Sequence, residues 1–285
     1  MAEQMAIPQI FDSRLKSLRR TRAVKRMAKT ALSFLLERCL DDVAERILDV
    51  NRRFESVILV GEFDLREALS ARLPADRQPL QFTFLSRGED VANLAPAKAD
   101  LILSLLTLHS EDDLPGQMSL MARGLKKDGL FIAALFGGDS LMELRQSLYK
   151  TDEDIFDGTT ARIFPMVTHS QAAPLLSRAG LNLPVVDMDR FTVNYTHIGK
   201  LVSDLRDIGE TNILKTRSDK VLTKAYLTKL QENYAQLFGQ NEKFKASFEI
   251  LWLTGWAPDE SQQKPLKPGS GKMHLGEALK AVKDS

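Results

Sequence analysis

A doubly wound, mainly parallel α/β sheet is predicted from three features of the chain. Residues 101–108 (LILSLLTL) form an almost unbroken apolar run, the pattern of a parallel strand covered on both faces. Asp112 and Asp113 then supply N-cap oxygens and Pro115 fits the first helical turn, while Leu114, Met118, Met121 and Leu125 share one helix face. Lys126 and Lys127 suit the negative end of that helix dipole, and Gly129 turns the chain into a second apolar run at 130–136 (LFIAALF), closed by Gly137 and Gly138. Strand, helix and strand of this kind make a right-handed parallel crossover unit.

At 285 residues, 44% hydrophobic and 27% charged, the chain is a globular protein of one large domain, or of one domain with an elaboration. A net charge of +1 provides no global field for nucleic acid, which is not expected as a partner. Cys39 is the single cysteine, so an internal disulfide and a cysteine-cluster metal site are both excluded. No apolar run reaches the roughly 18 residues of a membrane span, and the start lacks a signal-peptide core. The expected setting is the bacterial cytoplasm, peripheral to the inner membrane if a basic segment docks there, or the mitochondrial matrix in a eukaryote.

Residues 1–52 are expected to form an N-terminal helical cap and residues 53–285 the main domain. Between Arg14 and Lys29 there are eight Lys or Arg and no acid, with Leu15, Leu18 and Met27 as a partial apolar stripe. Such a helix offers Arg19, Arg20 and Arg22 to a phosphate, an anionic membrane surface or an acidic partner; a plain solvated face is the competing reading. Leu32, Leu36, Cys39, Val43, Ile47 and Val50 follow helical spacing, which makes Cys39 a packing thiol. Residues 56–61 (SVILVG) are the first strand, Asp64 a cap for a helix with Leu65, Leu69 and Leu73, and residues 80–85 (LQFTFL) the second strand. Only residues 87–100 separate this from the next strand, so a third strand is short or missing, at best at 91–94.

Beyond Gly138, Asp139 caps a helix carrying Leu141, Leu144 and Leu148, and residues 151–165 read as an acidic loop over the sheet. A short helix at 170–179, an alternating strand at 185–195 and a helix around Leu201 follow. Val221 to Leu237 mark a longer helix, so inserted helices occupy about 198–240. Residues 248–256 (FEILWLTGW) are the last strand, antiparallel to 185–195, and the proline- and glycine-rich remainder is an irregular tail.

Strands in this order, ending in an antiparallel pair, resemble the class I methyltransferase (Rossmann-like) fold, which binds S-adenosylmethionine. Longer strings carry a narrower likeness: residues 100–145, LLSRAGLNLPVVDMDRFTVNY, DLRDIGETN and FEILWLTGWAPDESQQKPLKPGS. They resemble the methyltransferase-like assembly factors of respiratory complex I, in their alphaproteobacterial form. IFDSRLKSLRRTRA is similar to that family's opening, with Ser13 in place of an arginine. The resemblance implies action on a protein subunit of NADH dehydrogenase, with an arginine hydroxylated on the quinone-site subunit.

The cofactor turn departs from the fold's pattern. Glycines after the first strand let backbone approach the adenosyl ligand, and an acid ending the second strand holds the ribose. Here the turn is VGEFDLRE, with Gly61 its only glycine, and the ring of Phe63 is expected to fill space normally left for the ligand. Ser86 stands where the acid belongs, with Glu89 or Asp90 as substitutes. The degenerate cofactor positions are therefore Gly61, Glu62, Ser86 and Leu105, and weak or absent binding of S-adenosylmethionine is expected.

Other candidates are sparse. His109 follows the strand after which this fold exposes groups to substrate, so it is the candidate acid or base, although a histidine capping the strand end or bonded to Asp112 is favoured. Asp152, Glu153, Asp154 and Asp157 read as a solvated acidic loop rather than a metal site, and no metal is expected. Trp256, Gln262, Gln263 and Lys264 either line a groove for a protein partner or cover the sheet edge. Glu210 and Asn212 read as helix caps. Three functions stay open: an assembly factor acting on a protein subunit, a methyltransferase on a small molecule or acyl carrier, and a non-catalytic scaffold.

Overall fold

The computed structural model of the protein describes residues 7–86, 89–240 and 243–263. Two helices lead in, α1 (Ser13–Met27) and α2 (Phe34–Asp49), followed by β1 (Ser56–Gly61), α3 (Arg66–Ser70), β2 (Gln81–Ser86) and α4 (Glu89–Ala92). The central unit is β3 (Ala99–Leu105), α5 (Leu114–Gly124) and β4 (Leu125–Phe136). Then come α6 (Met142–Phe156), α7 (His169–Arg178), β5 (Asn182–Tyr195), α8 (Ile198–Asp207), α9 (Lys224–Phe238), β6 (Gly239–Gln240) and β7 (Lys243–Trp256).

The strands pair in the order β2-β1-β3-β4-β7-β5, parallel as far as β4 and antiparallel around β7. That is the class I methyltransferase order with one strand left out beyond β2. Residues 91–94, the only candidates for it, do not form a strand: Val91 lies within the four-residue α4, and its side chain and that of Leu94 are buried against α5. Too little chain remains to cross the sheet and return, so β2 is the edge and its residues alternate between half-buried and exposed.

Side chains of the central strands alternate between two apolar layers, because successive residues of a strand point to opposite faces. Leu101, Leu103, Leu130, Ile132 and Trp252 face α2, α6, α8 and α9. Ile102, Phe131, Ala133, Leu251 and Leu253 face α5 and α7. The α2 helix enters the first layer through Leu36, Leu40, Val43 and Ile47, and Cys39 lies fully inside it. Burial pushes the Cys39 thiol far above its ordinary value, so it is an inert packing group.

Several boundaries differ from expectation. The α5 helix stops at Gly124, so Lys126 and Lys127 lie in extended chain rather than in a last helical turn. The last residue packs closely on the chain beyond α4: a Cβ on Gly124 would lie 2.4 Å from Leu94 Cδ2. Asp64 stands one residue ahead of the N-cap Leu65, and its carboxylate accepts the first amide of α3, that of Arg66, at 3.3 Å as well as the Arg66 guanidinium at 2.7–2.8 Å. Asp139 does not cap α6, since it faces Arg190 of β5 at 2.5 Å. The acidic loop expected at 151–165 is helical through Phe156. Leu222 and Val221 precede α9 and are exposed.

Candidate functional site

The carboxyl end of β3 runs into a sharp turn at Leu106, a buried residue held at φ +51°. A bulky residue in that region is strained, and its amide is anchored on the Ala134 carbonyl at 2.8 Å. The turn sends Thr107 back over β1: a Cβ on Gly61 would lie 3.4 Å from Thr107 Cγ2, while Thr107 Oγ1 and Ser104 Oγ share a hydrogen bond of 2.6 Å. It also places His109 inside the molecule.

His109 does not pair with Asp112, which instead accepts the amides of Ile10 and Phe11 at 2.8 and 3.0 Å. Its Nε2 lies 3.0 Å from Glu210 Oε2, and its ring stacks on Phe164 at 6.1 Å and meets Phe136 edge-on at 5.0 Å. Glu210 is therefore no helix cap. Its other oxygen takes the Arg20 guanidinium, which also donates to Ser110 Oγ at 3.0 Å. Arg20, Glu210 and His109 are all buried, a charge pair and an imidazole closed off from solvent. Gly209, at φ +76°, makes the turn that aims Glu210 inward beneath α1.

The arginine trio of α1 is split by this arrangement. Arg20 points into the core, Arg22 is exposed, and Arg19 is half-buried with Nη1 donating to Thr211 Oγ1 at 2.6 Å. Spacing alone puts Arg19, Arg20 and Arg22 on one basic helix, and only the packing of α1 on α8 separates them. Arg19 and Arg22 line a cavity of about 830 Å³ over the end of β4, between α1, α6, α8 and α9. Glu210 and Phe164 form part of its floor.

Gly61, Glu62, Ser86 and Leu105 sit together at the carboxyl ends of β1, β2 and β3, but not on that cavity. Phe63 and Leu65 of the first turn are buried in the layer beneath α2 and α3, and Leu105 is buried in the same layer. Ser86 Oγ donates to Asp90 Oδ2 at 2.6 Å, so a carboxylate does stand at the end of β2.

Asp152 belongs neither to a metal site nor to a solvated loop. It is buried in α6, accepts two Arg162 nitrogens at 2.6–2.9 Å and the Tyr226 hydroxyl at 2.6 Å, and ties α6 to α9. No cluster of three potential metal ligands occurs among the described residues. Trp256 is half-buried at the end of β7, opposite Leu130 and Asn182. Gln262 fastens the tail: it accepts from Asn182 at 2.9 Å and donates to Asp128 at 3.0 Å, joining the start of β5 to the turn within β4. Gln263 is exposed, and Lys264 lies outside the described residues. Sequence reasoning singled out Glu210 and Asp152 but assigned them to a helix cap and a solvated loop; the burial of each depends on a distant partner, Arg20 for the first and Tyr226 for the second.

No protein-family model matches the chain. It is 30% identical to the human mitochondrial arginine-hydroxylase NDUFAF5 over 286 residues, covering 94% of this chain and 83% of that protein. The Dictyostelium discoideum arginine-hydroxylase NDUFAF5 is 37% identical over 202 residues, 70% of this chain but 46% of its own length. A malonyl-[acyl-carrier protein] O-methyltransferase of Xylella fastidiosa is 32% identical over 58% of this chain and 54% of its own. The solved 1,6-didemethyltoxoflavin-N1-methyltransferase of Burkholderia thailandensis superposes with a TM-score of 0.44 at 15% identity, covering 91% of this chain and 98% of its own. No helix among the described residues is long and apolar enough to cross a membrane. Kinship over nearly the whole length decides the affiliation: the chain belongs to the NDUFAF5 family, the methyltransferase-like assembly factors of respiratory complex I.

Proposed function

We propose that this protein serves the assembly of respiratory NADH dehydrogenase by gripping or modifying one of its protein subunits, with weak or no use of S-adenosylmethionine. Kinship to the human arginine-hydroxylase along nearly the whole chain carries the proposal. The modification is hydroxylation of an arginine, the activity that the relatives' names print for those proteins; inserting one oxygen is a two-electron oxidation, so dioxygen or a peroxide must enter as co-substrate. The malonyl-carrier methyltransferase likeness covers too little of either chain to displace it.

The turn after β1 supports weak use of the adenosyl group: Gly61 is its one glycine, and Phe63 and Leu65 stand where the fold keeps bare backbone, with their side chains turned into the core. Thr107 Cγ2 lies at ordinary contact distance from the open side of Gly61. Asp90, the acid nearest the end of β2, is already engaged by Ser86. Away from that turn, Glu210 on the cavity floor is held by Arg20 and approached by His109 Nε2 at 3.0 Å.

The tagged protein, expressed in a cell that makes complex I, should recover NADH dehydrogenase subunits. Mass spectrometry should find an arginine carrying one added oxygen that is lost when the gene is deleted. Failure of both would sink the assembly role. Calorimetry with S-adenosylmethionine should register no binding at micromolar concentrations, and micromolar affinity would refute the cofactor part alone.

A further inference from the structure

The cavity over β4 pairs an aliphatic interior with a mouth where arginines outnumber their carboxylate partners. Leu144, Leu148, Ile198, Val202 and Leu205 wall it, and Leu222 and Leu227 at its opening are exposed to solvent. At about 830 Å³ it lies within the roughly 300–1,000 Å³ of small-molecule sites. Of the arginines lining it, Arg162 is neutralised by Asp152 and Arg26 by Asp207. Arg22 and Arg206 are exposed and have no ion-pair partner among the described residues, and Arg19 faces only the Thr211 hydroxyl. Burial first, and then the nearby charges of Arg217, Arg206 and Arg22, push the Arg19 guanidinium below its ordinary value, and Asp12 offsets this only in part, so positive charge outweighs negative around it. Glu210 on the floor is occupied by Arg20.

We propose that this cavity binds a single-chain amphiphile, its aliphatic chain lying among Leu144, Leu148 and Leu205 and its anionic head, a carboxylate or phosphate, held by Arg19, Arg22 and Arg206. Charge complementarity selects the occupant: a cationic side chain entering this mouth meets three guanidinium groups, whereas an anion relieves their repulsion. A peptide segment fits less well, because its backbone needs hydrogen-bond partners that aliphatic walls do not offer. Asn212, one of the polar lining residues, is already used by the Ala161 carbonyl and the Leu214 amide. The inference stands apart from the assembly role and does not require it.

Titration calorimetry on the full chain tests it with dodecyl phosphate, dodecanol, dodecyltrimethylammonium and inorganic phosphate, all below micellar concentrations. Dodecyl phosphate should bind at least about tenfold more tightly than dodecanol, and more tightly still than the cationic amphiphile. The double variant Arg22→Glu, Arg206→Glu, at two exposed positions, should keep the wild-type melting temperature and lose at least about tenfold in dodecyl phosphate affinity. Inorganic phosphate binding as well as dodecyl phosphate would overturn the proposal in favour of a surface anion site. Equal affinity for dodecanol would remove the anionic head. Sedimentation with phosphatidylglycerol vesicles, without binding of monomeric dodecyl phosphate, would replace the cavity by a membrane-facing surface.

Discussion

Arg20 carries its charge at 2% exposure, and its stability rests on Glu210. Removing one partner of a buried ion pair costs about 3–5 kcal/mol, because the remaining charge is stranded. Arg20→Glu would place two carboxylates in that pocket and should unfold the protein at far lower urea than wild type. Arg22→Glu, on the exposed side of the same helix, should shift stability by no more than about 0.5 kcal/mol. Asp152 is a second such residue. Burial favours its neutral acid, but donors on Arg162, Thr160 and Tyr226 outweigh it and hold the carboxyl below its ordinary value. A depressed folded value means the stabilisation is complete above the unfolded value of about 3.9 and is lost as pH falls through the folded one. Asp152→Asn should therefore be less stable than wild type by about 3 kcal/mol at neutral pH, with the gap closing in acid below about pH 4. A stability difference unchanged between pH 7 and pH 3 would refute that assignment.

At the scale of elements, α5 and α4 meet through a glycine. Gly124→Ala drives a methyl into Leu94 and should cost about 1–3 kcal/mol, read as a lower melting temperature. Gly158→Ala, with nothing within 4 Å of its added carbon, should change stability by less than about 0.5 kcal/mol. The same contact shows why helix ends were harder to place than helix faces. Leu114, Met118 and Met121 announce a buried face by spacing, and all are buried. At Gly124 the helix end meets Leu94, whose approach no local signal records. Asp139 likewise has the chemistry of a cap, yet Arg190, distant in sequence, claims it.

For the molecule as a whole, the cofactor question has a direct thermal readout. A ligand present at a hundred times its dissociation constant stabilises the folded state by about 2.7 kcal/mol. Millimolar S-adenosylmethionine should leave the melting temperature unchanged. A rise of several degrees would mean that the ends of β1 and β2 open to admit it. The buried strands, their antiparallel closing pair and the missing edge strand were legible in order and length alone. So was the altered turn at Gly61, since a phenylalanine in place of bare backbone is a local fact.

Local chemistry thus determined which segments are strands and helices, which faces they bury and which family this chain resembles, because apolar periodicity and motif strings are written within a few residues of each other. Only the folded chain decided that Arg20 is a core residue and Arg22 a surface one, that His109 answers to Glu210 rather than Asp112, and that an arginine-rimmed cavity opens over β4. Those pairings join residues up to 190 positions apart, and the partners of α1 are chosen by its packing on α8. A buried charge has no sequence signature of its own; what separates it from a solvated one is the opposite charge that tertiary structure brings within reach.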